Sequence, residues 1–370
     1  MKIITVIGAR PQFIKAAAVS RAIREFNRTS NHLLNEVIIH TGQHYDRNMS
    51  EIFFEELDIP APHYHLGIGS SNHGQQTGEM LTAIETVLLQ EKPDCVLVYG
   101  DTNSTLAGAL AASKLHIPIA HVEAGLRSYN RTMPEEINRV VTDHLSNILF
   151  CPTKHSVKNL QKEGITNQVH SVGDVMYDCM LYYMNKVDND TDVLDSYNVK
   201  PGQYALATVH RAENTDNPQH LSEIFGSFNE IADEIPVLVA LHPRTKKYLH
   251  QYGIEVSDKV SLLDPLSYLQ MISLEANANT ILTDSGGVQK EAYFVGKPCI
   301  TLRNETEWVE TIEVGMNVLA GPSKEKILAS FNNIYSGMDR TVREGIYGDG
   351  TASNKIVNLL CAFNNHSERS

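Results

Sequence analysis

The sequence predicts an α/β protein with two parallel-sheet domains, and three observations carry that expectation. Apolar runs of about four to eight residues alternate with helical patterns along nearly the whole chain, as βα units around a parallel sheet require. The chain has 370 residues, more than one small core holds, so two domains are expected. The alternation pauses at an Asp- and Asn-rich stretch, residues 185–203, and then starts again.

The elements follow in order. KIITVIG (2–8) reads as a first strand, too short for the apolar region of a signal peptide and ended by a Gly-Ala-Arg-Pro turn. The helical pattern PQFIKAAAVSRAIREF comes next, then strands at EVIIHTG (36–42) and CVLVYG (95–100). The helical LAGALAASKL leads to strands at IPIAHVE (117–123) and NILFCP (147–152). In the second half the strands are YALATVH (204–210), 237–241, VSLLD (260–264), TILTDSGG (280–287) and KPCITLR (297–303). The boundary is placed near SVGDVMYD (171–178), giving domains 1–172 and 173–352, and only the terminal NNHSERS reads as disordered.

A net charge of −13 excludes nucleic acid and an anionic membrane as bulk partners, because the electrostatic footprint has the wrong sign. Phosphate contacts must then come from a few placed Arg, Lys, His and backbone N–H groups. Cys95, Cys151, Cys179, Cys299 and Cys361 are scattered without a CxxC pair and read as reduced core thiols of a cytosolic protein. His63 and His65 have metal-like spacing but no cysteine or acidic cluster near them, so no metal site is expected. No apolar segment reaches membrane-spanning length, and N-x-S/T matches such as Asn130-Arg131-Thr132 are ascribed to chance.

Nearly every unusual polar cluster follows a strand directly. Gly8-Ala9-Arg10-Pro11, Gly42-Gln43-His44, Gly100-Asp101-Thr102-Asn103-Ser104 and Glu123 do so in the first half. His210-Arg211-Ala212-Glu213-Asn214, His242-Pro243-Arg244 and Asp284-Ser285-Gly286-Gly287 do so in the second. Ligands of open α/β sheets bind at the carboxyl ends of strands, and two facing domains would pool these clusters in one cleft. An Asp-Thr or Asp-Ser pair after a strand is also a good helix cap, so each cluster alone has a purely structural explanation. The recurrence in both halves is what favours a ligand site.

Asp284-Ser285-Gly286-Gly287 is the best phosphate candidate, since it would open a helix whose free N–H groups and dipole favour an anion. Glu291, one turn further, is placed for ribose hydroxyls. GxGxxG and GxxxxGK[ST] are absent, which excludes a classical dinucleotide fingerprint and a P-loop.

In HVEAGLRSYNRTMPEEINR (121–139), Pro134 with Glu135 and Glu136 makes a favourable helix start. Ile137, Val140, Val141 and Leu145 form the apolar stripe that an amphipathic helix turns to its core, with Glu135, Arg139 and Thr142 opposite. Glu135 and Arg139 could pair at i,i+4. Glu123 and Glu135 converging on one sugar would instead be a candidate acid/base pair. Pattern alone leaves both readings open.

GARPQFIK (8–15), TGQH (41–44), GDTNSTLAGALAA (100–112), HVEAGLRS (121–128), PEEINR (134–139), HRAEN (210–214), TDSGGVQKEA (283–292) and GKPCITLRNETEW (296–308) resemble the non-hydrolysing UDP-N-acetylglucosamine 2-epimerases. The motifs run in the family's order over essentially the whole chain. The resemblance implies a GT-B-like fold, two Rossmann-like domains with a cleft between them and UDP held mainly by the second. It also implies a final helix, about 353–366, packing back on the first domain, and a cytoplasmic homodimer.

The implied reaction interconverts UDP-GlcNAc and UDP-ManNAc without NAD or metal, supplying precursors of bacterial surface polysaccharide. UDP is eliminated across C1–C2 to give a 2-acetamidoglucal and is added back with a proton delivered to the other face of C2. Carried over by motif, Asp101, Glu123, Glu135 and His210 form the acid/base and electrostatic group. Arg10, Lys15, Arg139, His210, Ser285, Gly286 and Gly287 would stabilise the departing diphosphate, and Glu291 would take the ribose. Arg211 and His242 are further contacts.

The chain departs from the family pattern at three places. His44 is followed by Tyr45-Asp46, and Gln75-Gln76-Thr77 lacks an Arg found in members activated by a second UDP-GlcNAc. PLSYLQM (265–271) carries Met271 where an aromatic often stacks near uracil. GQHYDRNMSEIFFEELDIP and LATVHRAENTD look like a subgroup acting on UDP-2,3-diacetamido-2,3-dideoxy-glucuronate, which stands as the alternative substrate. A GT-B glycosyltransferase and a non-catalytic sugar-nucleotide clamp are the rival functions.

Overall fold

In the computed structural model, described for residues 1–42, 56–187, 192–264, 266–335 and 345–367, two units each form around their own sheet. The first comprises Met1–Leu181 with Glu344–Ser370, the second Tyr182–Arg343.

The first unit runs β1 (Lys2–Ile7), α1 (Arg10–Thr29), β2 (Asn35–His40), β3 (Tyr64–His65), α2 (His73–Glu91), β4 (Cys95–Tyr99), α3 (Asn103–Lys114) and β5 (Ile119–Val122). It continues with α4 (Pro134–Leu145), β6 (Ile148–Cys151), α5 (Lys154–Lys162), β7 (Val169–Ser171) and α6 (Val175–Val187). The strands pair in parallel in the order β3-β2-β1-β4-β5-β6-β7. β4 and β5 are buried on both faces, as the continuous apolar runs CVLVY and IAHV require in a helix-covered parallel sheet. Ile4, Val6, Val37, Ile39, Val96 and Val98 form one core layer with Met80 and Ile84 of α2 and the alanines of α3.

The second unit runs α7 (Asp192–Ser196), β8 (Ala205–Val209), α8 (Ala212–Thr215), α9 (Pro218–Ile231), β9 (Val237–Leu241), α10 (Pro243–Tyr252), β10 (Val260–Leu263) and α11 (Tyr268–Asn277). Then come β11 (Thr280–Thr283), α12 (Gly286–Phe294), β12 (Cys299–Thr301), α13 (Val309–Glu313), β13 (Asn317–Leu319) and α14 (Lys324–Tyr335). Its parallel sheet has the order β10-β9-β8-β11-β12-β13. Leu221, Phe225, Phe228 and Phe331 fill one face and Tyr204, Leu206, Leu274 and Ile281 the other.

The last helix, α15 (Ala352–Ser367), belongs to the first unit and packs on α1. The carboxylate of Asp178 on α6 accepts hydrogen bonds from the Ala352 and Ser353 backbone N–H groups and the Ser353 hydroxyl, at 3.1, 2.7 and 2.7 Å. That cap, with buried Val175, Met176, Cys179 and Met180, keeps the start of α6 in the first unit. The first unit accordingly takes in α6 as far as Leu181.

Three strands were not expected. β3, β7 and β13 are two or three residues long and carry polar residues, so no apolar run announces them. TILTDSGG also divides: β11 stops at Thr283 and Gly286 already opens α12.

Burial pushes the Cys95, Cys151 and Cys299 thiols up to about 12, so these are inert core groups. His63 Nδ1 accepts the Ile38 N–H at 3.1 Å, and the His65 ring lies 4.5 Å from that of His40. Among the described residues no helix is long and apolar enough to cross a membrane.

Candidate functional site

The carboxyl ends of β1, β4 and β5 bring together most of the polar residues singled out in the first half. Gln12 locks the first of these ends. Its carbonyl accepts the Gly8 and Ala9 N–H groups at 2.8 and 3.0 Å, and its amide donates to the Tyr99 carbonyl and the Thr105 hydroxyl, both at 3.0 Å. This fixes Arg10, half-buried at the first position of α1, and Lys15 one turn on. The Lys15 ammonium is buried and forms an ion pair with Glu123 Oε2.

Glu123 itself is buried and has φ +72°, a left-handed conformation for a residue with a full side chain. Such a conformation costs on the order of 1–3 kcal/mol and persists only where neighbours impose it. Gly100 faces this pair: a Cβ there would stand 3.1 Å from both Glu123 Oε2 and Lys15 Nζ. Its φ of +61° is a second reason for glycine.

Asp101 is not the helix cap that an Asp-Thr pair suggests. Thr102 caps α3, its hydroxyl accepting the Thr105 N–H at 3.3 Å, and Asp101 is left to pair with Arg139. Arg139 Nε donates to Asp101 Oδ2 at 3.1 Å, and its Nη1 to Glu136 Oε2 at the same distance. Glu136 also accepts the Ser128 and Tyr129 N–H groups, each at 2.9 Å, so it orders the turn that enters α4. Asn138 donates to the Asp101 carbonyl at 2.9 Å. Glu135, half-buried, occupies the first turn of the same helix.

α4 is rotated relative to the sequence expectation. Its buried residues are Glu136, Asn138, Arg139, Thr142 and Asp143, whereas Ile137 and Val141 are 49% and 37% exposed. The polar face goes inward because it has partners there. Asp143 accepts from His121 Nδ1 at 2.8 Å and from Arg127 Nη1 at 2.6 Å, and Arg127 closes a two-pronged bridge to Glu163 at 2.7 Å. Burial alone would raise the Asp143 carboxyl, but hydrogen bonds and charge from His121 and Arg127 hold it below its ordinary value.

In the second unit the HRAEN turn is organised by Asp284, which is fully buried. It accepts the His210 N–H at 3.1 Å, the Arg211 N–H at 3.0 Å and the Asn214 amide at 3.0 Å. Its Oδ1 is 3.6 Å from His210 Nδ1. The following Ser285 makes no side-chain cap, so the N–H groups at the start of α12, at Gly286 and Gly287, have no side-chain acceptor from the cap. Glu291 is buried on that helix. His242 caps α10, its Nδ1 accepting the Arg244 N–H at 3.1 Å, and its ring centre lies 6.3 Å from that of His210.

Several residues of these ends escaped the pattern reading. Arg303 and Glu307 pair at 3.3 Å beneath the α12 turn, and the Lys290 ammonium sits 4.1 Å above the ring of Trp308, both buried. Burial pushes the Glu213 carboxyl up, opposed by Arg303. Gln12 and Glu136 were legible only as residues inside motifs, and Asp143 lies outside every motif. Of the departures, Gln76 is buried and engaged by Gly69 and Asn103, and Met271 is a core residue. His44, Tyr45, Asp46 and Pro265 lie outside the described residues.

Two parallel Rossmann-like sheets with charged strand ends and an open helix N-terminus define a sugar-nucleotide enzyme of the GT-B-like class. The family model for UDP-N-acetylglucosamine 2-epimerase matches residues 27–361, and the chain belongs to that family. It is 55% identical to a UDP-N-acetylglucosamine 2-epimerase homolog of Methanococcus maripaludis, over 97% of this chain and 99% of that one. It is 51% identical to the UDP-2,3-diacetamido-2,3-dideoxy-D-glucuronate 2-epimerase of Pseudomonas aeruginosa, with the same two coverages. The crystal structure of the Methanocaldococcus jannaschii UDP-GlcNAc 2-epimerase in complex with UDP-GlcNAc and UDP superposes with a TM-score of 0.91 at 45% identity, covering 98% of this chain and 100% of that one.

Proposed function

We propose that the protein epimerises C2 of a UDP-N-acetylhexosamine, with UDP-GlcNAc and UDP-ManNAc as the pair interconverted. The observation that carries the reading is the pair of carboxylates at neighbouring strand ends of a family member: Glu123 held by Lys15 and Asp101 held by Arg139. The C2 hydrogen has no adjacent carbonyl to acidify it, so its removal must accompany departure of UDP, which leaves positive charge at C1. The C1–O bond breaks with its electrons on UDP, a base takes the C2 proton, and a C1=C2 double bond forms. Return of UDP to C1 and of a proton to the opposite face of C2 completes a redox-neutral exchange that needs neither NAD nor metal.

Asp101, Glu123, Glu135 and His210 are assigned to acid/base and electrostatic work. Arg10, Lys15, Arg139 and the Ser285-Gly286-Gly287 turn are assigned to the diphosphate, and Glu291 to the ribose. Arg211 and His242 are assigned as further contacts. The helix start at Gly286-Gly287, which Ser285 does not cap with its side chain, supports the diphosphate assignment.

The relative from Pseudomonas aeruginosa, at 51% identity, favours one alternative substrate, UDP-2,3-diacetamido-2,3-dideoxy-glucuronate, handled by the same elimination. Supply of surface polysaccharide precursors follows from either sugar. A homodimer through the exposed Ile137 and Val141 on α4 is part of the same proposal, and the four buried free cysteines suit a cytoplasmic location.

Incubation with each UDP-sugar alone in D2O tests the reading. Deuterium entering C2 is the expected result. UDP release only in the presence of an acceptor would make the protein a glycosyltransferase, and irreversible release of free ManNAc would make it a hydrolase.

A further inference from the structure

Asp143 has no part in the reaction as assigned, yet it is 1% exposed and is tied to residues at the ends of the first unit's strands. Its oxygens accept the Gly125 N–H, at 3.1 Å to Oδ2, together with His121 Nδ1 and Arg127 Nη1. His121, itself fully buried, places its Nε2 2.8 Å from the Gly100 carbonyl, the peptide that leads into Asp101. Both ring nitrogens of His121 therefore face oxygen atoms, one on Asp143 and one on Gly100.

Glu123 lies midway between the two attachments, with His121 two residues before it and Gly125 two residues after. Gly125 has φ +82°, and a Cβ there would come within 2.4 Å of the Ser156 carbonyl oxygen, so the turn packs closely on α5 and admits only glycine. One carboxylate thus grips the strand end on both sides of a residue in a left-handed conformation. The same carboxylate reaches the Asp101 turn through His121. Arg127, buried beside Asp143, reaches from it to Glu163 at the surface, so the buried guanidinium and the buried carboxylate each face an opposite charge.

We propose that Asp143, through His121 and Gly125, is a positioning residue that imposes the left-handed conformation of Glu123 and sets the Gly100–Asp101 turn against it. The proposal rests on the reaction assigned above, because only there does the placement of Glu123 matter for chemistry.

The test compares Asp143→Asn, Glu123→Gln and the double variant with the wild type. The amide keeps the volume but cannot accept from His121, Arg127 and Gly125 at once. Asp143→Asn is expected to lower kcat and the rate of deuterium entry at C2 by roughly 10–100-fold, the scale of an ångström's misplacement. KM and the affinity for UDP should stay within about twofold, as expected when only a transition-state interaction is lost. In the Glu123→Gln background the same change should add much less, since the group it positions is already gone.

Wild-type kcat in Asp143→Asn, or a loss that multiplies fully with that of Glu123→Gln, overturns the proposal. The crystal structure of Asp143→Asn is the second arm: Glu123 should leave φ +72°, and an unchanged strand end overturns the proposal. If the wild type exchanges deuterium with neither UDP-sugar, the assigned reaction falls, while the variant's structure still decides the positioning. Should Asp143→Asn fail to fold, His121→Gln, which leaves the Asp143–Arg127 pair in place, is read by the same criteria.

Discussion

Removing the ammonium of Lys15 tests the strand-end arrangement most directly. The side chains of Lys15 and Glu123 are 8% and 7% exposed, so Lys15→Met leaves a carboxylate in the fold's interior without its cation. Breaking one side of a buried pair costs roughly 3–5 kcal/mol, against at most about 1 kcal/mol for an exposed pair. A unit of this size shifts its melting temperature by roughly 2–4 °C per kcal/mol, so the first unit's transition should fall by at least about 6 °C. Adding Glu123→Gln removes the charge that Lys15 balanced, and the double variant should recover about 2 kcal/mol or more relative to Lys15→Met. Differential scanning calorimetry of the four proteins gives the cycle. Losses below about 1 kcal/mol for each single change, adding without coupling, would refute the view that this pair is buried and mutually dependent.

Two further outcomes follow from the same elements. Asp143 is held below its ordinary 3.8, so it binds fewer protons folded than unfolded between the two values. Its contribution is complete above 3.8 and is lost as pH falls through the depressed value; Glu163, lowered by Arg127, acts in the same direction. The urea midpoint should therefore drop between pH 5 and pH 3, by the rule that stability follows the difference in bound protons, and Asp143→Asn should flatten that drop. Ile137→Asp, on the exposed stripe of α4, should yield a monomer by light scattering with the melting temperature of the unit unchanged within a few degrees. A dimer that survives the change removes that stripe as the dimer face.

The long strands were legible because burial on both faces of a parallel sheet demands unbroken apolar runs, as in KIITVI and CVLVY. The clusters at their carboxyl ends were legible for the same reason: a polar residue directly after such a run stands out. β3, β7 and β13 were not legible, since strands of two or three residues with polar side chains are specified by their neighbours rather than by their own pattern. Asp101 and Asp284 each stand where a helix cap is the local expectation. The structure gives the capping to Thr102 in one case and uses Asp284 to gather the His210 and Arg211 backbone in the other. That difference lies in residues dozens of positions away, Arg139 and His210, which no local window contains.

The orientation of α4 is the sharpest conflict between local pattern and fold, and its physical sense lies in what the helix holds. Burying an Ile or Val side chain contributes about 1.5–3 kcal/mol, and α4 forgoes much of that at Ile137 and Val141. In exchange it places Glu136, Arg139 and Asp143 against the ends of β4 and β5. Buried ions of this kind are weak stabilisers at best, so stability does not explain the choice. Geometry does: without Arg139 the Asp101 carboxylate loses that partner, and without Asp143 the His121 and Gly125 contacts on either side of Glu123 are lost, leaving the Phe150 carbonyl and the Asn159 amide to hold the turn. A helix that turns Ile137 and Val141 outward to hold two carboxylates in place breaks the local rule where a functional site is expected to break it.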